Sequence, residues 1–330
     1  MLDSEALDRL RGSKSLLAFS GGVDSSALYH LLNERCIDFD IAIVNYGTRP
    51  QSMEEELYAK ELAERDGKKV YIHRCTLPSS GFERLAREER YTFFEELISR
   101  YGYQNLITAH QLDDMLEWGL MQLCRGCGTV EFVGMRPVER RVGYFLVRPL
   151  LFTPKKRLLD YLQERKIRYF IDETNLSDRH TRNRFRREAA VFLMEECAEG
   201  VARSFRYMLK DKDELLSQAE PLSTLRKVTI LRRQKSELAT IRSIDRVLKE
   251  NGYILSAPQK EEIAEKGSVV VGGEWAVEIT DERVWIAPYI DAVMPKTFKE
   301  LCRKLQIPPK TRPYLFSIGA DEELLSSLAS

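Results

Sequence analysis

The chain has 330 residues, 43% hydrophobic and 31% charged, with 51 basic side chains against 51 acidic ones. That length suits two domains of ordinary size, and a formal charge of zero confines any nucleic-acid contact to a local patch. No apolar run is long enough to span a bilayer, the acidic opening at residues 1–5 lacks a signal-peptide core, and 6 cysteines in such a chain do not form a disulfide framework. The expectation is a cytoplasmic protein with reduced thiols and no membrane partner.

In chain order, residues 5–11 read as a short helix. Leu16, Leu17, Ala18 and Phe19 then form an apolar run too short for a helix, hence a buried strand. Ser20-Gly21-Gly22-Val23-Asp24-Ser25 follows, with a helix continuing through Leu32. Two glycines permit positive φ and close approach to the backbone, and a helix N-terminus behind a glycine turn is an anion site. The loop lacks the Gly-Lys-Ser/Thr ending of a Walker A motif, so no lysine is placed to reach a γ-phosphate.

Strands are expected at 39–46, 69–73, 105–109 and 144–147, and helices at 52–63, 81–100 and 112–123. Glu54, Glu55 and Glu56 open the first of these helices, where acidic groups suit the dipole. Strands alternating with helices imply a parallel sheet covered on both faces. Ligands bind such sheets at the carboxyl ends of the strands, here residues 20–26, 45–49 and 110–117. The last stretch, His110-Gln111-Leu112-Asp113-Asp114-Met115-Leu116-Glu117, crowds three carboxylates and a histidine. If the helix includes His110, then His110, Asp114 and Glu117 share a face, suited to Mg²⁺ beside phosphates or to an ammonium group. Taken alone, Asp113 and Asp114 also fit as ordinary first-turn acids.

Two charged stretches remain. Ala86-Arg87-Glu88-Glu89-Arg90-Tyr91 reads on its own as a solvated helix face. Residues 172–187 hold an arginine-rich loop and helix start, including Arg182, Asn183 and Arg186. Arginines at a helix N-terminus oppose the dipole, so a polyanion contact there is plausible.

The loop at 20–25 matches the PP-loop, Ser-Gly-Gly-x-Asp-Ser, of the ATP pyrophosphatases. The set as a whole resembles the tRNA(Ile)-lysidine synthetase family over residues 15–187. The matching segments are Val44-Asn45-Tyr46-Gly47-Thr48-Arg49, Ala86 to Tyr91, and His110 to Glu117 with Arg125-Gly126. Gly134-Met135-Arg136-Pro137, Arg148-Pro149-Leu150, and Asp172, Thr174, Asn175, Arg182, Asn183 and Arg186 complete it. Departures are Ala109, Met115, Trp118 and Tyr46, where the family usually has histidine, glutamine, threonine and histidine.

The resemblance implies an α/β fold: a parallel-sheet PP-loop ATPase domain (adenine nucleotide alpha hydrolase-like) at 1–215, then a smaller α+β C-terminal domain at 216–330. It implies adenylation by ATP of cytidine C2 at the wobble position of isoleucine tRNA with a CAU anticodon. The ε-amine of free L-lysine then displaces AMP to give lysidine, which reads AUA instead of AUG. Ser20, Gly21, Gly22, Val23, Asp24 and Ser25 would hold ATP, with Asp24 a candidate Mg²⁺ ligand. His110, Arg90 and Arg186 would stabilise the adenylated intermediate or the phosphates, and Asp114 and Glu117 would grip the lysine ammonium. The competing reading is a PP-loop tRNA thiolase using Cys124-Arg125-Gly126-Cys127, although an iron–sulfur cluster needs further thiolates.

Beyond residue 191 a helix is expected to about 218. Helical patterns rich in Arg and Lys are expected over 223–248, a β-hairpin or small sheet over 269–286, and a helix at 298–305. Residues 301–314 carry a weak likeness to a Leu-x-x-Gly-Ile-Pro-Pro-x-x-Arg ending, with Gln306 at the glycine position. This domain is read as tRNA-recognising; an oligomerisation role, which would make the protein a homodimer, stays open beside it.

Overall fold

The computed structural model describes residues 1–47, 51–78, 80–171, 189–216 and 221–329. They form two compact units, Met1–Leu209 and Lys210–Ser330. The sequence-based boundary at 215 falls within the helical segment Val191–Leu216, which is kinked at Cys197.

The first unit opens with α1 (Ser4–Leu10), β1 (Ser15–Ala18), α2 (Val23–Glu34), β2 (Phe39–Asn45), α3 (Gln51–Arg65) and β3 (Val70–Arg74). It continues through α4 (Phe82–Tyr101), β4 (Asn105–Ile107), α5 (Leu112–Leu123), α6 (Thr129–Phe132), β5 (Val138–Arg141), β6 (Tyr144–Val147) and α7 (Lys155–Glu164), and its last helix is α8 (Val191–Leu216). The strand order is β3-β2-β1-β4-β6-β5. The first five strands pair in parallel; β5 runs antiparallel to β6.

Alternation along β1 and β2 builds a core on each face of the sheet. Leu17, Ile41 and Ile43 pack on one side with α2, α3 and α7, and Leu16 and Ala42 on the other with Phe94, Leu97 and Ile98 of α4. Strands buried on both faces read as near-continuous apolar runs, which is why they are legible in the sequence. Strand β5 is not. Val138-Glu139-Arg140-Arg141 is a charged edge strand, closed on β6 through the two-residue turn Val142-Gly143. Charge blunts an edge against stray pairing, and it also hides the strand from a hydrophobic-pattern reading.

The second unit contains a five-stranded antiparallel sheet, β7-β8-β11-β10-β9. Its strands are β7 (Pro221–Leu225), β8 (Val228–Arg232), β9 (Ser268–Val271), β10 (Trp275–Ile279) and β11 (Arg283–Pro288). Between β8 and β9 come α9 (Glu237–Glu250) and α10 (Ala257–Lys266); α11 (Lys296–Lys304), α12 (Arg312–Ser317) and α13 (Glu322–Ala329) follow β11. In β11, Val284 and Ile286 enter the core shared with α9 and α10, whereas Trp285 and Ala287 enter the one shared with α11 to α13. The sheet is thus covered on both faces.

The expectation of helix over 223–248 is corrected here. Helix begins only after Ser236, whose side chain caps it by accepting from the Ala239 amide. Residues 221–232 form the β7–β8 hairpin instead. The segment Val228-Thr229-Ile230-Leu231 is buried on both faces, so it shows no alternation that would mark it as a strand.

Candidate active site

The carboxyl ends of β2, β1 and β4 lie side by side, and each carries one of the motifs. Adjacent strands in a sheet are about 4.8 Å apart, so three segments distant in sequence become neighbours along one edge.

At the centre, the loop after β1 turns through Gly21 at φ +72°. A Cβ there would stand 3.1 Å from Cδ2 of Phe170, whose amide donates to the Gly21 carbonyl at 2.9 Å. Glycine is therefore required twice, for the left-handed backbone and for the close packing. Gly22 is the N-cap of α2 and brings no capping side chain, which leaves the opening amides of the helix to an external anion.

The motif's serines brace the loop. Ser20 and Ser25 hydroxyls are 3.1 Å apart, Ser25 donates to the Gly22 carbonyl at 3.3 Å, and Ser26 donates to the Gly21 carbonyl at 3.1 Å. Val23 packs against the core. Asp24 sits in the first turn of α2, half-buried, with Oδ1 sealed from solvent. A carboxylate oxygen at a phosphate-binding helix start is the hard donor Mg²⁺ takes, so the residue type and place fit that ion.

At the end of β4, helix α5 starts at Leu112, so His110 precedes the helix and does not share its face. The condition for His110 to share a face with Asp114 and Glu117 is therefore not met, and only Asp114 and Glu117 are on the helix. The reason is a capping box at Gln111. Its Oε1 accepts from the Asp113 amide at 2.6 Å, and its own amide donates to Asp114 Oδ2 at 3.1 Å. His110 is held by its Nδ1, 3.0 Å from the Thr108 hydroxyl.

Asp113 accepts from the Lys155 amide at 3.0 Å and so opens α7. Burial, together with the charges of Asp114 and Glu117, pushes its carboxyl above the ordinary range. Glu117 is fully buried. Met115 is buried in a hydrophobic core, whereas Trp118 is partly exposed against Gly134, where a Cβ would come within 2.0 Å of the indole nitrogen.

At the end of β2, Asn45 is buried, and its Oδ1 accepts from the Gly47 amide at 2.9 Å. Tyr46 donates to the carbonyl of Ala86 in α4 at 2.8 Å, which ties the second motif to the third. Burial pushes its phenol up to about 12, an effect the nearby Arg90 opposes. Arg90 is exposed on α4. Beneath the loop, Glu56 is almost fully buried and accepts from Arg74, Lys60 and Asn45, the first of which holds its carboxyl down at about 2.

Two further motifs are structural braces. Arg148 is buried, donates to the Arg136 carbonyl at 3.0 Å and pairs with Glu139 at 2.9 Å. That joins Arg-Pro-Leu to Gly-Met-x-Pro. In the second unit Arg312 donates to the Ile307 carbonyl at 2.8 and 2.6 Å, and buried Glu278 accepts from the Thr311 amide and hydroxyl, each at 2.9 Å.

Sequence reasoning missed Thr108, Phe170 and Glu56. Phe170 had a signal: it lies two residues before the 172–187 motif, and its amide donates to the glycine loop. Arg182, Arg186 and the rest of that motif lie outside the described residues. Cys124 is exposed at the end of α5 and Cys127 is half-buried. Among the described residues neither belongs to a group of three metal-ligating side chains.

A parallel sheet with a Ser-Gly-Gly-x-Asp-Ser loop opening its second helix defines a PP-loop nucleotide-binding domain. A family model described as a PP-loop domain matches residues 4–193. Near-full-length relatives resolve the class further. The tRNA(Ile)-lysidine synthase of Wolinella succinogenes is 44% identical over 96% of this chain and 97% of its own length. That of Campylobacter jejuni is 40% identical over 98% and 99%. The chain belongs to the tRNA(Ile)-lysidine synthase family. A solved U34-tRNA thiolase from Methanococcus maripaludis, containing a 4Fe-4S cluster, shares the fold at TM-score 0.50 and 18% identity, over 63% of this chain and 75% of its own.

Proposed function

We propose that this protein uses ATP to adenylate C2 of the wobble cytidine in isoleucine tRNA with a CAU anticodon, and that free L-lysine then displaces AMP through its ε-amine. The observation that carries this reading is that the glycine loop follows β1 while His110, Asp114 and Glu117 follow β4, the adjacent parallel strand. One site binds a triphosphate and its neighbour binds a cation, as a reaction joining AMP chemistry to an amine requires.

The amides opening α2 hold the phosphates that leave as pyrophosphate. Asp24 would hold a Mg²⁺ ion, which would supply neutralisation of the charge developing on those phosphates. His110, oriented by Thr108, and Arg90 and Arg186 stabilise the negative charge of the adenylated base. Asp114 and Glu117 hold the lysine ammonium, and one takes a proton from the attacking nitrogen. The second unit recognises tRNA, and the reaction belongs in the cytoplasm with other tRNA modification; dimerisation is a further role open to that unit.

The test is lysine incorporation. Purified protein is incubated with ATP, Mg²⁺, radiolabelled lysine and unmodified isoleucine tRNA bearing CAU, and RNA-bound label and AMP are measured. Lysine-dependent labelling with equal AMP release supports the assignment. AMP release without labelling overturns it and directs the next assay to sulfur transfer.

A further inference from the structure

Away from the glycine loop, β3 and α4 converge on a cluster that the proposed reaction does not use. His73 lies in β3 and Cys75 just beyond it, two residues apart, so extended backbone sends both side chains to one face. Glu89 on α4 meets them. One ligand atom from each of the three lies within 4.8 Å of the other two. His73 Nε2 is 2.7 Å from Glu89 Oε1, and the His73 ring is stacked on Phe93 with centroids 5.1 Å apart, which fixes its plane. Phe93 follows Glu89 by one helical turn, so a single helix face supplies both the carboxylate and the ring support.

We propose that His73, Cys75 and Glu89 form a binding site for a borderline-soft divalent transition metal of the Zn²⁺ class, with three protein ligands and water in the fourth position. A nitrogen, sulfur and oxygen set suits Zn²⁺ and disfavours Mg²⁺ or Ca²⁺, which take oxygen. Tetrahedral bonds of about 2.0–2.3 Å place ligand atoms about 3.3–3.7 Å apart. A small opening of the His73–Glu89 contact and closure onto the thiol therefore suffice.

Binding forms metal–nitrogen, metal–sulfur and metal–oxygen bonds. The thiol proton leaves to solvent, and the proton between His73 and Glu89 moves to Nδ1. The thiolate is the metal-binding form of cysteine, so uptake releases that proton. Cys75 also lines a cavity of about 400 Å³ with Asn45, Gly47 and Arg74. An occupied site therefore fastens β3 to α4 beside the loop that follows β2.

The test is titration of the full-length protein with Co²⁺, then Zn²⁺ competition, followed by absorbance. One equivalent of Co²⁺ is expected to give a thiolate-to-cobalt charge-transfer band that Zn²⁺ abolishes. Cys75→Ser should remove the band, and Glu89→Gln should weaken affinity at least tenfold while keeping it. The double variant Cys124→Ser/Cys127→Ser should leave both unchanged. Absence of the band in the wild type, or its persistence in Cys75→Ser, overturns the proposal; so does loss of the band in Cys124→Ser/Cys127→Ser.

Discussion

Gly21 combines a left-handed φ of +72° with Phe170 at contact distance from any added Cβ. Gly21→Ala should lower ATP-dependent AMP release at least tenfold, mainly through a raised KM for ATP, because the loop must shift to relieve both constraints. Unchanged KM would sink that account. Gln306 shows the converse: it adopts φ +55° where a glycine stands in related endings. Left-handed backbone costs a residue with a Cβ about 1 kcal/mol. Gln306→Gly is expected to stabilise the protein by about 0.5–1 kcal/mol in urea denaturation, and Gln306→Val to destabilise it. Glu56 carries a pH signature. Its carboxyl is lowered from 4.5 to about 2 by Arg74 and its other donors. A lowered folded pKa contributes stability that is present above 4.5 and is lost as pH falls toward 2. Denaturation of wild type and Glu56→Gln should therefore differ at pH 6 and converge at low pH.

Helix α5 carries Asp114 and Glu117, the acidic residues of the proposed site. Its capping box commits Asp114 Oδ2 to the Gln111 amide, and Asp113 is spent on the start of α7. The pair Asp113-Asp114 thus performs the helix-start role, and the proposed lysine-holding role of Asp114 is carried beside it. Asp114→Asn separates them, since an amide oxygen still accepts from Gln111 while the charge is gone. Thermal stability should stay within about 1 kcal/mol, whereas lysine transfer should fall at least tenfold. A matching loss of stability would make Asp114 a structural cap only. Elements buried on both faces, β1, β2 and β8, differ in legibility for a physical reason. In β1 and β2 the flanking helices announce a parallel sheet; β8 lacks that context, and its apolar run beside basic residues mimics a helix.

For the whole molecule, balanced charge means that tRNA affinity rests on local contacts. The arginine-rich motif at 172–187 is the proposed contact on sequence grounds; the described chain that leads to it is fastened to the glycine loop at Phe170, whose amide donates to the Gly21 carbonyl. Each phosphate contact contributes a log–log salt slope of about 0.7–0.9. Arg182→Ala/Arg186→Ala should therefore weaken tRNA binding and reduce the slope by about 1–2, read from filter binding between low and moderate salt. An unchanged slope would remove these arginines from the interface.

The glycine loop, the acidic cluster, the parallel sheet and the two-part organisation all follow from local signals: residue types with special backbone tolerance, charges at helix starts, and apolar runs of strand length. Those signals survive in one dimension because each acts within a few residues. The docking of Phe170 on Gly21, the pairing of Glu56 with Arg74 and the joining of Arg148 to Arg136 depend on partners a dozen or more residues away, and the exclusion of His110 from α5 depends on competition for a single cap. The cluster of His73 and Cys75 with Glu89 is of the same kind. Two residues at the end of a strand and one on a helix have no pattern in common until the sheet and its covering helix bring their ligand atoms within 4.8 Å of one another.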